Sequence, residues 1–187
     1  MDDNNQNQIE ELDENHLIQV RKEKLKALIE AGKNPYEITE FNRTHVTTEI
    51  FENYDELEGK EVAIAGRMMG KRIMGKASFV HVQDPYGKIQ LYVSVNDLGE
   101  ESYKAFKEDD IGDIVGVKGF VFKTKTGEIS IHAKDIVLLT KTLRPFPDKF
   151  KGLKDVDLRY RHRELDLIVN PKVKETFIKR IQILRRN

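Results

Sequence analysis

Apolar and polar residues alternate along this chain from Gly59 to about Thr140, with one interruption. A period of two is typical of β-strands with one buried face, because successive side chains of a strand point to opposite sides. The alternation therefore predicts strands and marks their core-facing positions. Before the interruption these positions form three runs: Val62, Ile64 and Met68; Val80 and Val82; and Ile89, Leu91, Val93 and Val95.

The segments between the runs indicate how the strands connect. Residues 84–87 read Asp-Pro-Tyr-Gly, a tight-turn sequence, so we expect the second and third strands to form a hairpin. The interruption, residues 99–108, contains helix-compatible residues. Two further strands are predicted around residues 113–123 and 128–139, joined by a turn at residues 124–127.

Three strands, a short helix and two more strands is the element order of the OB-fold, a small barrel that binds oligonucleotides. A plain antiparallel meander would give a similar pattern without the intervening helix. The sequence thus predicts a mainly β fold with flanking helices, in which residues 59–142 form a five-stranded OB-fold barrel.

An amphipathic helix is predicted ahead of the barrel, over residues 11–31. Residues 1–10 are polar and predicted to be disordered, and residues 35–60 read as an irregular connection with one short strand near residues 43–50. Residues 1–58 are therefore expected to hold a tail, a helix and a connection. The apolar stripe of the helix consists of Leu17, Val20, Leu25 and Leu28, and Gly32, Asn34 and Pro35 follow it as stop signals.

Composition narrows the possible classes of function. The 32 basic and 32 acidic residues balance, so any electrostatic role depends on where the charges lie. Residues 60–90 carry six basic residues against two acidic ones, a modest cationic patch. The absence of cysteine excludes disulfides and cysteine metal sites, and the acidic start is unlike a signal peptide. We expect a soluble cytoplasmic protein with no membrane partner.

The period of two also predicts which side chains point out of the barrel. An aromatic ring beside amide and imidazole groups, with cations from the neighbouring loop, is the chemistry that single-stranded RNA requires. The predicted outward residues are Phe79, His81, Gln83, Gln90, Tyr92, Ser94, Glu128, Ser130 and His132, and the loop cations are Lys71, Arg72 and Lys76.

Purely structural explanations for these residues compete with RNA binding. The Phe79 ring could be covered by the N-terminal helix or by a neighbouring domain, and the loop cations could be ordinary solvated residues. Gln90 and Glu128 could be plain surface residues. No spacing among the five histidines suggests a metal site, so neither a metal site nor a catalytic residue is predicted.

Three segments resemble the N-terminal part of class II lysyl-tRNA synthetases of bacterial type. The resemblance spans about residues 15–187. Aspartyl- and asparaginyl-tRNA synthetases share the barrel but lack the last segment, so this segment favours the lysyl family. The segments are GRMMGKRIMGKASFVHVQD (66–84), KTKTGEISIHA (123–133) and LRPFPDKFKGLKDVDLRYRHRELDLIVNP (143–171).

The resemblance implies roles for individual residues. Phe79 would stack on the central anticodon uracil, Arg72 and Gln90 would contact the edge of that base, and Glu128 would help to read the third anticodon base. Lys71, Lys76 and Lys125 would support the loop or contact phosphates. Phe79, Gln90 and Glu128 are residues that strand alternation already predicts to face outward.

The resemblance also implies a parent enzyme, a lysine-tRNA ligase that forms lysyl-tRNA from lysine, tRNA and ATP with magnesium, as a homodimer. The two later catalytic motifs of class II synthetases are absent from this sequence. Residues 143–187 are then a linker and the truncated start of the catalytic domain. The chain is expected to bind lysine tRNA, to need no cofactor and to be inactive alone. Two alternatives are a general single-stranded nucleic-acid binder and a protein-interaction module.

Overall fold

The computed structural model describes the backbone of residues 3–146 and 155–186, and the side chains of residues 15–146 and 155–185. The chain divides into two compact units between Pro145 and Phe146. Residues 147–154, a part of the expected linker, lie outside the described residues.

The first unit contains a closed five-stranded barrel. Its strands lie in the order β1-β2-β3-β5-β4, antiparallel throughout except that β3 and β5 run parallel. This closure confirms the OB-fold and excludes a meander, in which β1 would not pair with β4. The strands are β1 (Glu61–Met74), β2 (Ala77–Gln83), β3 (Lys88–Ser94), β4 (Ile114–Lys123) and β5 (Ile129–Thr140).

The barrel core includes the residues that alternation marks as inward before the interruption, together with residues of β4, β5 and the helices. All but one of the marked residues are at most 1% exposed, and burying each aliphatic side chain contributes about 1.5–3 kcal/mol. The exception is Val95, which starts a helix instead of ending β3 because the Ser94 side chain accepts a hydrogen bond from the backbone N–H of Asp97. The confirmed residues are Val62, Ile64, Met68, Val80, Val82, Ile89, Leu91 and Val93.

Helices flank the barrel. The helix expected within residues 99–108, where the alternation is interrupted, is present. The short strand expected near residues 43–50 is wrong, because residues from Thr47 onward are helical. The Asp84 carboxylate accepts hydrogen bonds from the Thr47 backbone N–H and hydroxyl, both at 2.7 Å. The helices of this unit are α1 (Asp3–Glu30), α2 (Thr47–Glu52), α3 (Tyr54–Leu57), α4 (Val95–Leu98) and α5 (Glu100–Glu108), with a 3-10 turn at Pro35–Glu37.

Helix α1 begins at Asp3, so residues 3–10 are helical where a disordered tail was expected. Glutamine and glutamate favour helices, and acidic residues near a helix start interact favourably with its dipole. The predicted stripe is only partly buried, with Leu17 47% exposed. Polar contacts also hold the helix: Arg21 donates to the carbonyl oxygen of Thr142 at 3.1 Å, and the Lys24 ammonium lies 2.9 Å from Asp110.

A buried ion pair fixes the end of β5 against the start of β4. The Asp113 carboxylate is fully buried and accepts hydrogen bonds from the Lys141 ammonium and from the backbone N–H groups of Asp110 and Thr142, each at 2.7 Å. Lys141 also contacts the Asp110 carboxylate. The two acids thus tie Lys141 to the segment that leads into β4.

The second unit contains three described helices, α6 (Val156–Arg161), α7 (Arg163–Val169) and α8 (Pro171–Arg186). The buried Asp166 carboxylate accepts hydrogen bonds from Arg159 at 3.0 Å and from Arg163 and Asn170 at 2.6 Å. This network joins α6 to α7 and to Asn170, the residue between α7 and α8. Exposed apolar residues of α8 are Ile178, Ile181, Ile183 and Leu184.

Replacing Lys141 with methionine should lower the free energy of unfolding by roughly 3–5 kcal/mol, because it leaves the buried Asp113 carboxylate without its cationic partner. Urea denaturation measures the change. Lys118→Met on β4 is the control, since Lys118 is exposed. Equal effects of the two substitutions would contradict the assigned role of the ion pair.

Candidate nucleic-acid interface

Strand register brings one side chain from each of four strands into a single row. Arg72 on β1 lies opposite Phe79 on β2, Phe79 lies opposite Tyr92 on β3, and Tyr92 lies opposite His132 on β5. Directly paired residues of neighbouring strands project from the same face. The four side chains therefore form a continuous band on the outside of the barrel.

Aromatic rings make up most of this band. The Phe79 and Tyr92 ring centroids are 5.5 Å apart, and those of Tyr92 and His132 are 5.1 Å apart. Phe122 on β4 adds a fourth ring, 6.4 Å from Tyr92 and 5.8 Å from His132. These spacings, with tilted or edge-on planes, are typical of favourable aromatic pairs. We call Phe79, Tyr92, Phe122 and His132 the aromatic platform.

Phe79 faces outward, as alternation predicts. Its neighbours along β2, Ser78 and Val80, are fully buried, whereas Phe79 itself is only partly buried. Tyr92 supports the ring from β3. Phe79 thus lies at the surface with its orientation constrained by a neighbouring ring.

Gln90 lies in the adjacent row, opposite His81 and Ser130. Its amide nitrogen donates to the Ser130 hydroxyl at 3.1 Å. Ser130 was expected to be exposed, but it is fully buried, and its hydroxyl donates to the Glu128 carbonyl oxygen at 3.3 Å. The hydrogen bond from Gln90 to Ser130 orients the Gln90 amide and leaves its second N–H and its oxygen for another partner.

Glu128 lies at the β4–β5 turn and is exposed. Its backbone N–H donates to the Thr124 hydroxyl at 3.0 Å, while its carboxylate lies 3.9 Å from the His81 imidazole. Lys125 is exposed on the same turn. The turn therefore presents a carboxylate and an ammonium near the row that contains Gln90.

Arg72 and Lys76 bring positive charge to the β1–β2 hairpin. Both side chains are exposed, and neither side chain forms a hydrogen bond or ion pair with the part of the chain that the structure describes. Gly75, with φ of 64°, supplies the left-handed conformation at the turn between β1 and β2. Arg72 is thereby held beside Phe79 with its guanidinium available.

Lys71 is not brought together with these cations. Its ammonium donates to the carbonyl oxygens of Phe106, of Lys107 at 3.0 Å and of Asp109 at 2.8 Å, at the end of α5. Burial lowers the pKa of Lys71 to about 8. Its register partner is the core residue Val80, so alternation from the outward Arg72 already places Lys71 on the inner side.

Asp97 on α4 is a residue of this surface that sequence reasoning missed. Its carboxylate lies 2.6 Å from His132 Nε2 and also accepts hydrogen bonds from Lys134 and Ser94. Burial opposes ionisation, yet these hydrogen bonds hold the pKa of Asp97 well below its ordinary value. A serine three residues before an acid at a helix start is a capping signal that could have identified this residue.

The surface combines ring faces, amide and carboxylate groups, and free cations, which suits an unstacked base with its phosphates. Within residues 3–146 and 155–186, no group of three or more histidine, aspartate or glutamate residues is placed to hold a metal ion. None of the described helices combines the length and apolar character required to cross a membrane.

Residues 62–139 match the family of OB-fold nucleic acid binding domains. The chain is 55% identical over 171 residues to a lysine–tRNA ligase of Clostridium novyi (strain NT), and 54% identical over 176 residues to one of Clostridium tetani (strain Massachusetts / E88). It is 53% identical over 184 residues to one of Clostridium botulinum (strain Hall). The alignments cover 91%, 94% and 98% of this chain.

The same alignments cover 34%, 35% and 36% of those relatives, so the chain spans about a third of their length. The family match lies within the barrel, which runs from Glu61 to Thr140. The barrel therefore belongs to the family of OB-fold nucleic acid binding domains, and the chain is homologous to the N-terminal third of the lysine–tRNA ligases.

Proposed function

We propose that this chain recognises the uracil-rich anticodon of lysine tRNA as the anticodon-binding part of a lysine–tRNA ligase. The observation that carries the proposal is the row in which Arg72, Phe79 and Tyr92 lie side by side on the outer face of the barrel. Such a row can hold one base by its face and its edge simultaneously.

Stacking supplies the largest contribution. The central anticodon base would lie on the Phe79 ring, and stacking a base on an aromatic side chain is worth roughly 1–3 kcal/mol. Tyr92, 5.5 Å away, restrains the ring before the RNA arrives. A restrained ring loses less conformational entropy on binding than a freely rotating one.

Edge contacts supply selectivity. Lysine codons are AAA and AAG, so the second and third anticodon bases are uracil, which has two carbonyl acceptors flanking one N–H donor. Arg72 and the free N–H of Gln90 would donate to carbonyl oxygens of the central base, and the Glu128 carboxylate would accept from the N–H of the third base. Cytosine has a ring acceptor where uracil has its N–H, so it would be repelled at Glu128.

Phosphate contacts are assigned to Lys76 and Lys125, which are exposed at the two turns that flank the site. Lys71 is left out, because its ammonium is already held by carbonyl oxygens at the end of α5. Because few cations are assigned to phosphates, the sequence-independent part of the RNA affinity should be small. This disfavours a general single-strand binder.

We propose that the complete enzyme joins lysine to its tRNA with ATP and magnesium in the cytoplasm, as a homodimer. This chain would bind the RNA without changing it. The described residues of this chain offer no cluster of acids or histidines that would hold the magnesium.

A lysine-type anticodon stem-loop should bind the chain at least several-fold more tightly than the same stem-loop with cytosine in place of the middle uracil. Fluorescence anisotropy at two salt concentrations measures both affinities. Equal affinities would contradict base recognition. Equally tight binding of oligo-dT, with a steep salt dependence, would instead indicate a general single-strand binder.

Replacing Phe79 with alanine should weaken stem-loop binding by roughly 1–3 kcal/mol and leave the barrel folded, because the ring stacks on the base and is not part of the core. Phe51→Ala is the matched control, since Phe51 on α2 is 41% exposed and lies outside the platform. Unchanged affinity of the Phe79 variant would refute the stacking role. Loss of the thermal transition would mean that Phe79 stabilises the core.

Replacing Asp97 with asparagine should weaken stem-loop binding by roughly 1 kcal/mol, because it removes the charge that holds His132 against Tyr92. NMR shifts of the His132 and Tyr92 rings should move in the free protein. Asp135→Asn, an exposed acid on β5, is the control. An Asp97 variant with unaltered affinity and ring shifts would show that Asp97 does not position the platform.

A further inference from the structure

A cavity of about 730 Å³ lies in the first unit between α1, α5 and β5, beside the turn at Pro35–Glu37. Sites for small organic ligands commonly enclose ~300–1,000 Å³. None of the four platform residues is among the described residues that line it. The cavity is therefore separate from the proposed RNA site.

The cavity walls are largely apolar. Residues of α1, α5 and β5 all contribute to the lining. Such walls favour the apolar body of a ligand, while a few polar groups fix its orientation. The apolar lining includes Leu28, Ala105, Phe106, Ile136 and Leu138.

Asp109 is the polar group that sets the chemistry of the cavity. Its backbone oxygen accepts a hydrogen bond from Lys71, but its carboxylate makes no hydrogen bond or ion pair with any residue among 3–146 and 155–186. Burial raises the pKa of Asp109 to about 7. The nearby charges of Lys71 and Lys141 attract this carboxylate without forming an ion pair with it, and the effect of burial is larger. A cation bound directly to the carboxylate would offset the cost of that burial.

The cations that line the cavity are already committed to other acids. Lys24 and Lys141 both contact Asp110, and Lys33 lies 3.8 Å from Glu101. The lining carries four carboxylates against three lysines, so its net charge is negative when Asp109 is ionised. Charge complementarity favours a ligand that is positively charged over an anionic or neutral one.

We propose that this cavity binds a small organic cation, with its apolar body between α1 and α5 and its charged group against the Asp109 carboxylate. An amidinium or primary ammonium on an aromatic or short aliphatic frame has the required chemistry. Two parallel N–H groups can bond both oxygens of one carboxylate.

Benzamidine and its neutral isostere benzamide test the proposal on the complete 187-residue chain. Amide chemical shifts of isotope-labelled protein, followed during titration, should saturate with benzamidine at an affinity at least about tenfold above that of benzamide. The largest shifts should fall on α5 and β5. Equal affinities, or no saturation by benzamidine below about 10 mM, would overturn the proposal.

Three substitutions, one of them a control, locate the interaction. Asp109→Asn should abolish the preference for benzamidine, whereas Glu108→Gln, an exposed neighbour that also lines the cavity, should preserve it. Ala105→Trp should fill the cavity and abolish binding of both compounds with Asp109 intact. A preference that survives either Asp109→Asn or Ala105→Trp would place the cation elsewhere and refute the site.

Discussion

The register of the closed barrel is the constraint on which the rest of the structure depends. A shift of one residue between β1 and β2 would move Arg72 away from Phe79, and a shift of one residue in β3 would turn Tyr92 inward. The fully buried valines at positions 80 and 82 oppose such shifts, because each would bring polar residues into the core. The surface that presents the platform is thus specified by the residues beneath it.

Polar contacts between segments that are distant in sequence also hold the elements around the barrel in place. Asp97 joins α4 to His132 and so supports the platform from its edge. Asp84 ties the β2–β3 turn to Thr47, and Asp113 ties the start of β4 to the end of β5 through Lys141. Each carboxylate accepts several hydrogen bonds, which lets an acid be buried without a large penalty. The same logic leaves Asp109, which lacks such bonds among the described residues, as the candidate for an external partner.

Local pattern predicted the barrel and the outward direction of Phe79, Tyr92 and Gln90, because strand alternation depends only on neighbouring residues. It could not reveal that Thr47 starts a helix or that Asp97 reaches His132, since the partners are 37 and 35 residues apart. Lys71 was grouped with Arg72 and Lys76 as a loop cation, but β1 continues to Met74. Alternation within this longer strand turns Arg72 outward and Lys71 inward, which the sequence pattern ending at Met68 did not reveal.

Base recognition through Phe79 is the central claim, and proximity between that ring and the RNA tests it most directly. In a complex of the chain with a lysine-type anticodon stem-loop, filtered NMR spectra should show nuclear Overhauser effects from the Phe79 ring protons to H5 and H6 of the middle uracil. Tyr92 ring protons should show weaker effects or none to the same base. Effects from that uracil only to other parts of the barrel, with the Phe79 signals unshifted, would contradict the account.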